Sequence, residues 1–253
     1  MLHLTPLFLA AAIPAAIFVG LSKGGLPVVG MLSVSLLTLL ISPVEAAALL
    51  LPIYVVSDMF GLYVYRRDYD PQNLKLLIPA GILGVVIGYL TSSLVSEAAV
   101  TLLIGLIGTV FCINNFVRRN QVIAAKPANV VAGTFWGTIA GFTSFVSHSG
   151  APPYQVYILP QKLEKLVYAG TSTILFAVIN AVKLPAYWAL GTLTVSNLEI
   201  AALLAIPASI ATIVGAKLVK VIPERPFFIA IQITLFIVSV KLVYDGLHGM
   251  KLI

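Results

Sequence analysis

The chain alternates long apolar runs with short polar interruptions, a pattern that predicts membrane-spanning helices. An α-helix rises about 1.5 Å per residue, so a run of about 20 residues crosses a hydrocarbon core of about 30 Å. By this measure six of the runs are long enough to span a membrane. The apolar runs are 4–19, 28–41, 44–65, 74–95, 98–117, 130–145, 151–160, 166–190, 198–219 and 227–244. The pattern predicts an all-α polytopic membrane protein.

Two pairs of runs, within 4–41 and 130–160, consist of short members that meet at a Gly/Ser/Pro-rich interruption. The interruptions read GLSKGGLPVVG (20–30) and GFTSFVSHSGAPP (141–153). As a helix, the run 151–160 would reach only about 15 Å, or half a membrane. Each pair is therefore predicted to form a helical hairpin that dips in and returns, although 28–41 approaches the length of a full crossing.

Composition agrees with this class and excludes several others. The chain is 60% hydrophobic and 9% charged, whereas soluble domains carry roughly 25% charged residues. No HExxH, CxxC or nucleotide-binding glycine pattern is present, so metal, redox and ATP-driven mechanisms lack support and no cofactor is expected. The adjacent Ser147 and His148 lack an oriented third group, so an intramembrane hydrolase is disfavoured and no enzyme is predicted. A sensing or purely structural role explains the paired interruptions less well.

Charge placement predicts the topology. Eleven of the fifteen Lys and Arg lie in 66–75, 118–126, 161–165 and 217–225, and none lie in the turns 41–45, 95–97 and 191–199. The positive-inside rule puts the first set in the cytoplasm and both termini outside. The net charge of +6 is thereby explained without nucleic acid. No Lys or Arg precedes Lys23, so the first apolar run is interpreted as an uncleaved membrane segment rather than a signal peptide.

The same threading predicts two inverted repeats, 1–119 and 127–253, joined by a cytoplasmic linker over 120–126. Each repeat is a broken-helix hairpin followed by three transmembrane helices. IPAGILGVVIG (78–88) matches IPASIATIVG (206–215), and GGLP (24–27) echoes SGAPP (149–153), in the same order. Inverted repeats with broken helices are typical of secondary transporters, whose binding sites lie at the breaks.

The two breaks have the chemistry of an anion site. Gly24 and Gly25 are expected to leave backbone amides exposed, and Pro27 is suited to begin the next helix. Pro152 and Pro153 are suited to do the same after Gly150. A helix N-terminus carries free N–H donors and partial positive charge, so each break is predicted to favour an anion.

Four polar residues in the apolar helices have more than one interpretation. A lysine is costly at the bilayer centre, so Lys23 either holds an anion, reaches an interface or pairs with Asp58. Asp58 is either a proton-coupling group or the counter-ion of Lys23 or Lys183. Asn180 and Lys183 are three residues apart and share a helix face.

The remaining candidates lie at the breaks themselves. His148 is either a satisfied core histidine or a donor and proton carrier, since its unperturbed pKa lies near neutrality. Ser22, Ser147 and Ser149 are equally suited to satisfy nearby backbone or to contact a substrate.

These residues carry a resemblance to a known family. SKGG followed by SPVEAAALLLPIYVVSDMFGLYVYRRDYD is similar to the first half of the sulfite exporter TauE/SafE family of anion permeases. GFTSFVSHSGAPPYQVYILP followed by TSTILFAVINAVKLPAYWALG resembles its second half. The resemblance implies contacts to substrate from Lys23 with Gly24 and Gly25, His148 with Gly150, and Asn180 with Lys183. The family often has a further glycine where this chain has Ala151, which would narrow the cavity.

We therefore predict a secondary transporter, working by alternating access, whose anion site lies at the two breaks. The resemblance implies export of sulfur-containing oxyanions such as sulfite, sulfoacetate or other small organosulfonates. A passive anion channel or a transporter of another small organic anion remains the alternative. The protein is expected in a cell membrane, with the bacterial inner membrane implied, in contact with lipid and with a homodimer left open. The candidate substrate contacts are Ser22, Lys23, Gly24, Gly25, His148, Ser149, Gly150, Asn180 and Lys183, and the candidate proton-coupling groups are Asp58 and His148.

Overall fold

The computed structural model describes residues 5–117 and 124–252, and within these ranges it has ten α-helices and no strand. Part of the predicted linker 120–126 and of the basic segment 118–126 lies outside the described residues. In chain order the helices are α1 Pro6–Lys23, α2 Met31–Leu37, α3 Pro43–Val64, α4 Pro71–Thr91, α5 Glu97–Val117, α6 Val130–Ser147, α7 Ala151–Ile158, α8 Lys165–Ala189, α9 Val195–Val221 and α10 Glu224–Gly249.

Short polar residues fix where several helices begin. Ser42 and Glu45 form a reciprocal capping box at the start of α3. Thr5, Asn129 and Thr194 each accept a backbone N–H at the starts of α1, α6 and α9. Such caps satisfy N–H groups that have no partner inside the helix.

Eight helices within the described ranges are long and apolar enough to cross a membrane: α1, α3, α4, α5, α6, α8, α9 and α10. The prediction of six was wrong, because it counted both members of each hairpin as short. The first members, α1 and α6, are each 18 residues long. The second members are the short ones. They are a 3₁₀ turn and α2, together Pro27–Leu37, and the eight-residue α7. The chain is a multi-pass membrane protein.

The helices divide into two compact units. The first unit comprises residues 1–70 and 165–223, and the second comprises 71–164 and 224–253. Each unit therefore combines helices from both predicted repeats. Repeats describe how a chain was duplicated, whereas these units describe how its helices pack. The repeat boundaries therefore stay a prediction.

The core of the first unit is formed by α1, α3 and α9, with α2 packed against α1. Small residues let α1 and α9 approach closely. A Cβ on Gly20 would lie 2.0 Å from the Ala208 carbonyl oxygen, and one on Gly24 would lie 2.7 Å from Cα of Gly215. Helix α8 packs on α3 in the same unit.

The second unit is built on two helix pairs, α4 with α6 and α5 with α10, and α7 packs on α5 and α6. Glycines again set the close approaches. A Cβ on Gly141 would lie 2.0 Å from the Gly81 carbonyl oxygen, and one on Gly246 would lie 2.6 Å from the Leu102 backbone nitrogen. Small residues at such crossings are characteristic of packing between membrane helices.

Candidate functional site

A cluster of four buried polar residues, which we term the lysine cluster, lies inside the first unit. Lys23 is the last residue of α1, Asp58 lies in α3, and Asn180 and Lys183 lie one turn apart in α8. All four are buried, with at most 4% of any residue exposed. The structure therefore brings together four of the residues singled out from the sequence.

Asp58 is the centre of the contacts in this cluster. One carboxylate oxygen lies 2.8 Å from the Lys23 ammonium, and the other accepts a hydrogen bond of 2.9 Å from the Asn180 amide. Of the interpretations left open for Lys23, pairing with Asp58 is the one observed. Because a buried charge is costly without a partner, this pair accounts for the burial of both groups.

Lys183 is completely buried, and the charges of both Lys23 and Asp58 act on it. Its ammonium also lies 5.7 Å from the centre of the Tyr187 ring, within cation–π range. With both lysines protonated and Asp58 ionised, the cluster contains two positive charges and one negative charge. The excess of one positive charge suits the cluster to hold an anion.

Aromatic side chains complete the surroundings of Lys23. Its ammonium lies 5.0 Å from the centre of the Tyr54 ring and 5.9 Å from that of Phe176. The Tyr54 hydroxyl donates to the Gly30 carbonyl at 2.8 Å. This contact fixes the ring beside the lysine and joins α3 to the 3₁₀ turn after the break.

The backbone of the first break is satisfied internally, which contradicts the expectation of exposed amides. The Gly24 N–H donates to Gly20, the Gly25 N–H to Ser22 and the Leu26 N–H to Leu21. The last two bonds, with Gly25 at a φ of 110°, form a Schellman end to α1. Gly24 and Gly25 thus form the end of a helix, and their N–H groups are not available to a ligand.

Two side chains donate to the carbonyls of this break, one from the residue that follows α3 and one from α8. The Tyr65 hydroxyl donates to the Gly24 carbonyl at 2.6 Å, and the Thr173 hydroxyl donates to the Lys23 carbonyl at 3.3 Å. Burial raises the pKa of Tyr65 above its usual range, so its hydroxyl stays protonated as a donor. Ser22 donates to the Val19 carbonyl at 2.7 Å, which is the backbone-satisfying alternative.

Around the first break, the predicted residues Asp58, Asn180 and Lys183 share a regular spacing with residues that were absent from the predicted site. The latter are Tyr54, Gly61, Tyr65, Thr173 and Phe176. Residues three and four apart lie on one face of a helix. One face of α3 and one face of α8 contact the end of α1 in this way. The face of α3 consists of Tyr54, Asp58 and Gly61 and is continued by Tyr65, the residue that follows the helix; the face of α8 consists of Thr173, Phe176, Asn180 and Lys183.

The second break, inside the second unit, is a tight turn between α6 and α7. His148 ends α6 in the left-handed conformation with a φ of 53°, which is uncommon for a residue other than glycine. Its N–H donates to Ser144, and the Ser149 N–H donates to Thr143. His148, Ser149 and Gly150 are all buried.

The hydroxyls here are also engaged with backbone. Ser149 donates to the Ser147 carbonyl at 3.1 Å, and Ser147 donates to the Thr143 carbonyl at 3.4 Å. Pro152 and Pro153 lie in the first turn of α7, as predicted, and within the described residues no side chain caps this helix. At the second break a helix therefore begins where it was predicted to begin, next to the buried polar residues His148 and Ser149.

Comparison with known proteins bears on this geometry. A family model described as "Sulfite exporter TauE/SafE" matches residues 12–242, which include both breaks and all four residues of the lysine cluster. The resemblance seen in the two break motifs is confirmed by this match. No curated protein and no solved structure matches the chain.

Proposed function

Because the chain belongs to the sulfite exporter TauE/SafE family, a family of membrane transporters rather than enzymes, we propose that it exports small sulfur-containing oxyanions. Sulfite, sulfoacetate and other organosulfonates are the proposed substrates. The observation that carries this proposal is the lysine cluster, in which two buried lysines accompany a single carboxylate. An oxyanion would supply the missing negative charge.

Lys183 is the proposed principal cation for the substrate. Lys23 already has Asp58 at 2.8 Å, so its charge is largely compensated, and it contributes mainly by holding Asp58 in place. Asn180 donates one N–H to Asp58, and its side-chain amide has a second N–H that is suited to a sulfonate oxygen. Charge-assisted hydrogen bonds of this kind are stronger than neutral ones.

The second break contains further proposed substrate contacts, within its own unit. His148, Ser149 and Gly150 precede α7, whose N-terminus favours negative charge.

Since Asp58 is engaged as the counter-ion of Lys23, His148 is the better candidate for coupling transport to protons. Replacing His148 by Gln should abolish any stimulation of efflux by a pH gradient. An unchanged stimulation in this variant would exclude that role.

Helix pairing supports the proposed inverted repeats over 1–119 and 127–253. Helix α1, the first of one repeat, packs on α9, the fourth of the other. Helix α6, the first of the second repeat, packs on α4, the fourth of the first. The third helices, α3 and α8, also pair with each other, as do the fifth helices, α5 and α10. A two-fold relation between the repeats would produce this exchange of equivalent partners, and transporters with inverted repeats alternate access by moving one repeat or bundle against the other.

Anion binding is the first test. Purified protein should be stabilised against heat by sulfite or small sulfonates and unaffected by chloride or a carboxylate. A ligand at 100 times its dissociation constant stabilises by about 2.7 kcal/mol. Lys183→Gln should lose the shift, whereas Lys217→Gln, at an exposed position on α9, should retain it. Equal shifts in both variants would contradict the proposed site.

Counterflow in proteoliposomes separates the transporter from a passive channel. Unlabelled substrate inside the vesicles should accelerate uptake of labelled substrate if the site alternates between the two sides. A channel gives no such acceleration. The same assay with a carboxylate of similar size tests the alternative of another small organic anion.

A further inference from the structure

We propose that Asp58 sets the charge of the anion that the lysine cluster accepts, so that the wild-type cluster prefers an oxyanion group with a single negative charge. This inference rests on the proposed function and specifies its substrate class. The observation behind it is that one carboxylate and two ammonium groups are all buried, with no more than 4% of any of the three residues exposed.

Burial makes the charge count decisive. Water cannot screen these groups, so a net charge remaining in the cluster costs more than it would at the surface. With Lys23 and Lys183 protonated and Asp58 ionised, the cluster carries one positive charge, and a singly charged oxyanion brings it to zero. A doubly charged oxyanion would leave one buried negative charge, so of the proposed substrates the cluster would favour hydrogensulfite and a sulfonate group over the sulfite dianion. The cluster therefore discriminates between ligands of similar shape that differ in charge.

Asp58 is fixed in place as an internal anion. Its two oxygens are held by different helices, at 2.8 Å from Lys23 of α1 and 2.9 Å from Asn180 of α8. An anion that binds at Lys183 therefore does not displace Asp58 from its partners. Both negative charges are then present in the cluster, and they repel each other. Neutralising Asp58 removes this repulsion and raises the cluster to two positive charges.

The experiment compares methanesulfonate, which carries one negative charge, with sulfate, which carries two, as ligands of the purified full-length protein. The measured quantity is the ratio of their dissociation constants, because differences in size affect every variant alike. Wild type should bind methanesulfonate more tightly. Asp58→Asn should shift the ratio towards sulfate by roughly ten- to a hundredfold, the change expected for one unit charge several ångströms away at the effective dielectric constant of about 20 that describes buried protein sites.

A double variant separates charge from shape. Lys23→Gln combined with Asp58→Asn returns the cluster to one positive charge, so its ratio should return to within a few-fold of the wild-type value. Lys23→Gln and Lys183→Gln each leave a neutral cluster, so both should bind methanesulfonate more weakly than wild type. Glu199→Gln, which removes an exposed carboxylate on α9, is the control and should leave the ratio unchanged.

An unchanged ratio in Asp58→Asn, or full wild-type affinity in Lys23→Gln, would overturn the inference. If Asp58→Asn does not fold, the double variant and the two lysine variants decide the question. Absence of binding by both anions to the wild-type protein would instead count against the proposed function itself. The two failures are thus distinguishable.

Discussion

At the scale of single residues, the first break is a helix end whose backbone carbonyls accept hydrogen bonds from neighbouring side chains. Gly25 takes a φ of 110°, and a Cβ at this position would lie 2.6 Å from the Tyr65 hydroxyl. The same hydroxyl donates to the Gly24 carbonyl. One tyrosine therefore both fills the space beside the glycine and satisfies the backbone next to it.

Gly25→Ala should destabilise the protein by more than the conformational cost of a positive φ alone, which is about 1–2 kcal/mol. The additional cost arises from the contact with Tyr65. Gly191→Ala is the matched control, because Gly191 has a φ of 69° and no atom within 4 Å of the added Cβ. Thermal unfolding in detergent compares the two variants. An equal loss of stability in both would show that the contact with Tyr65 is unimportant.

Tyr65→Phe should cost about 1–3 kcal/mol, because it leaves the buried Gly24 carbonyl without its donor. Tyr63→Phe controls for loss of a hydroxyl, since Tyr63 is 69% exposed and should tolerate the change. The free energy of unfolding in urea measures both effects. The proposed role of Tyr65 is wrong if its variant is as stable as that of Tyr63.

At the scale of helices, the fold depends on glycines that face carbonyl oxygens of a neighbouring helix. Gly20 on α1 meets Ala208 on α9, and Gly141 on α6 meets Gly81 on α4, each with a Cβ-to-oxygen distance of 2.0 Å. Backbone atoms cannot move aside as side chains do. An added methyl group must therefore separate the helices.

Gly20→Ala and Gly141→Ala should each destabilise the protein by about 1–3 kcal/mol, the usual cost of overpacking. Gly133→Ala is the control within α6, since its Cβ would meet the movable Tyr157 hydroxyl at 3.0 Å. The melting temperature in detergent provides the comparison. A larger loss in Gly133→Ala than in the other two would contradict this account of the packing.

Most of the helical layout could be predicted from the sequence, because hydropathy and proline positions act locally. The lengths of α1 and α6 were underestimated, since the polar residues Ser22, Lys23 and Ser147 lie inside the last helical turns. A hydropathy run ends at such polar residues. The helix continues through them because neighbouring helices bury these side chains. The four residues of the lysine cluster could all be identified as candidates from the sequence alone.

The pairing of Lys23 with Asp58 was one of several interpretations, and the sequence could not decide between them because the choice depends on tertiary contacts between α1, α3 and α8. The satisfied amides of Gly24 and Gly25 were missed for a similar reason. A Schellman end and an anion-binding loop use the same glycine-rich sequence, and they differ only in whether the backbone bonds close.

At the scale of the whole molecule, eight candidate spans and the placement of basic residues make a prediction about sidedness. We expect the segment around Arg67 to face the cytoplasm and the turn before α9 to face outside. In a Cys112→Ser background, which removes the one native cysteine, Val195→Cys should react with a membrane-impermeant thiol reagent in intact cells. Arg67→Cys should react only after permeabilisation.

The Cys112→Ser protein without a new cysteine serves as the control and should remain unlabelled. Both Arg67 and Val195 are exposed, so a failure to react reflects the side of the membrane rather than burial. The reversed pattern of labelling would invert the predicted topology.

The packing of α1 on α9 has a consequence for how the protein is made. About 170 residues separate the end of α1 at Lys23 from the start of α9 at Val195. At a synthesis rate of roughly 5–20 residues per second, α1 waits on the order of 10–30 seconds for this partner. During that interval the α9-facing side of α1 at Gly20 and Gly24 has no partner, and until α8 is synthesised Lys23 has Asp58 but neither Asn180 nor Lys183 within reach. A nascent chain arrested before α8 would therefore carry an incomplete charge cluster into the bilayer.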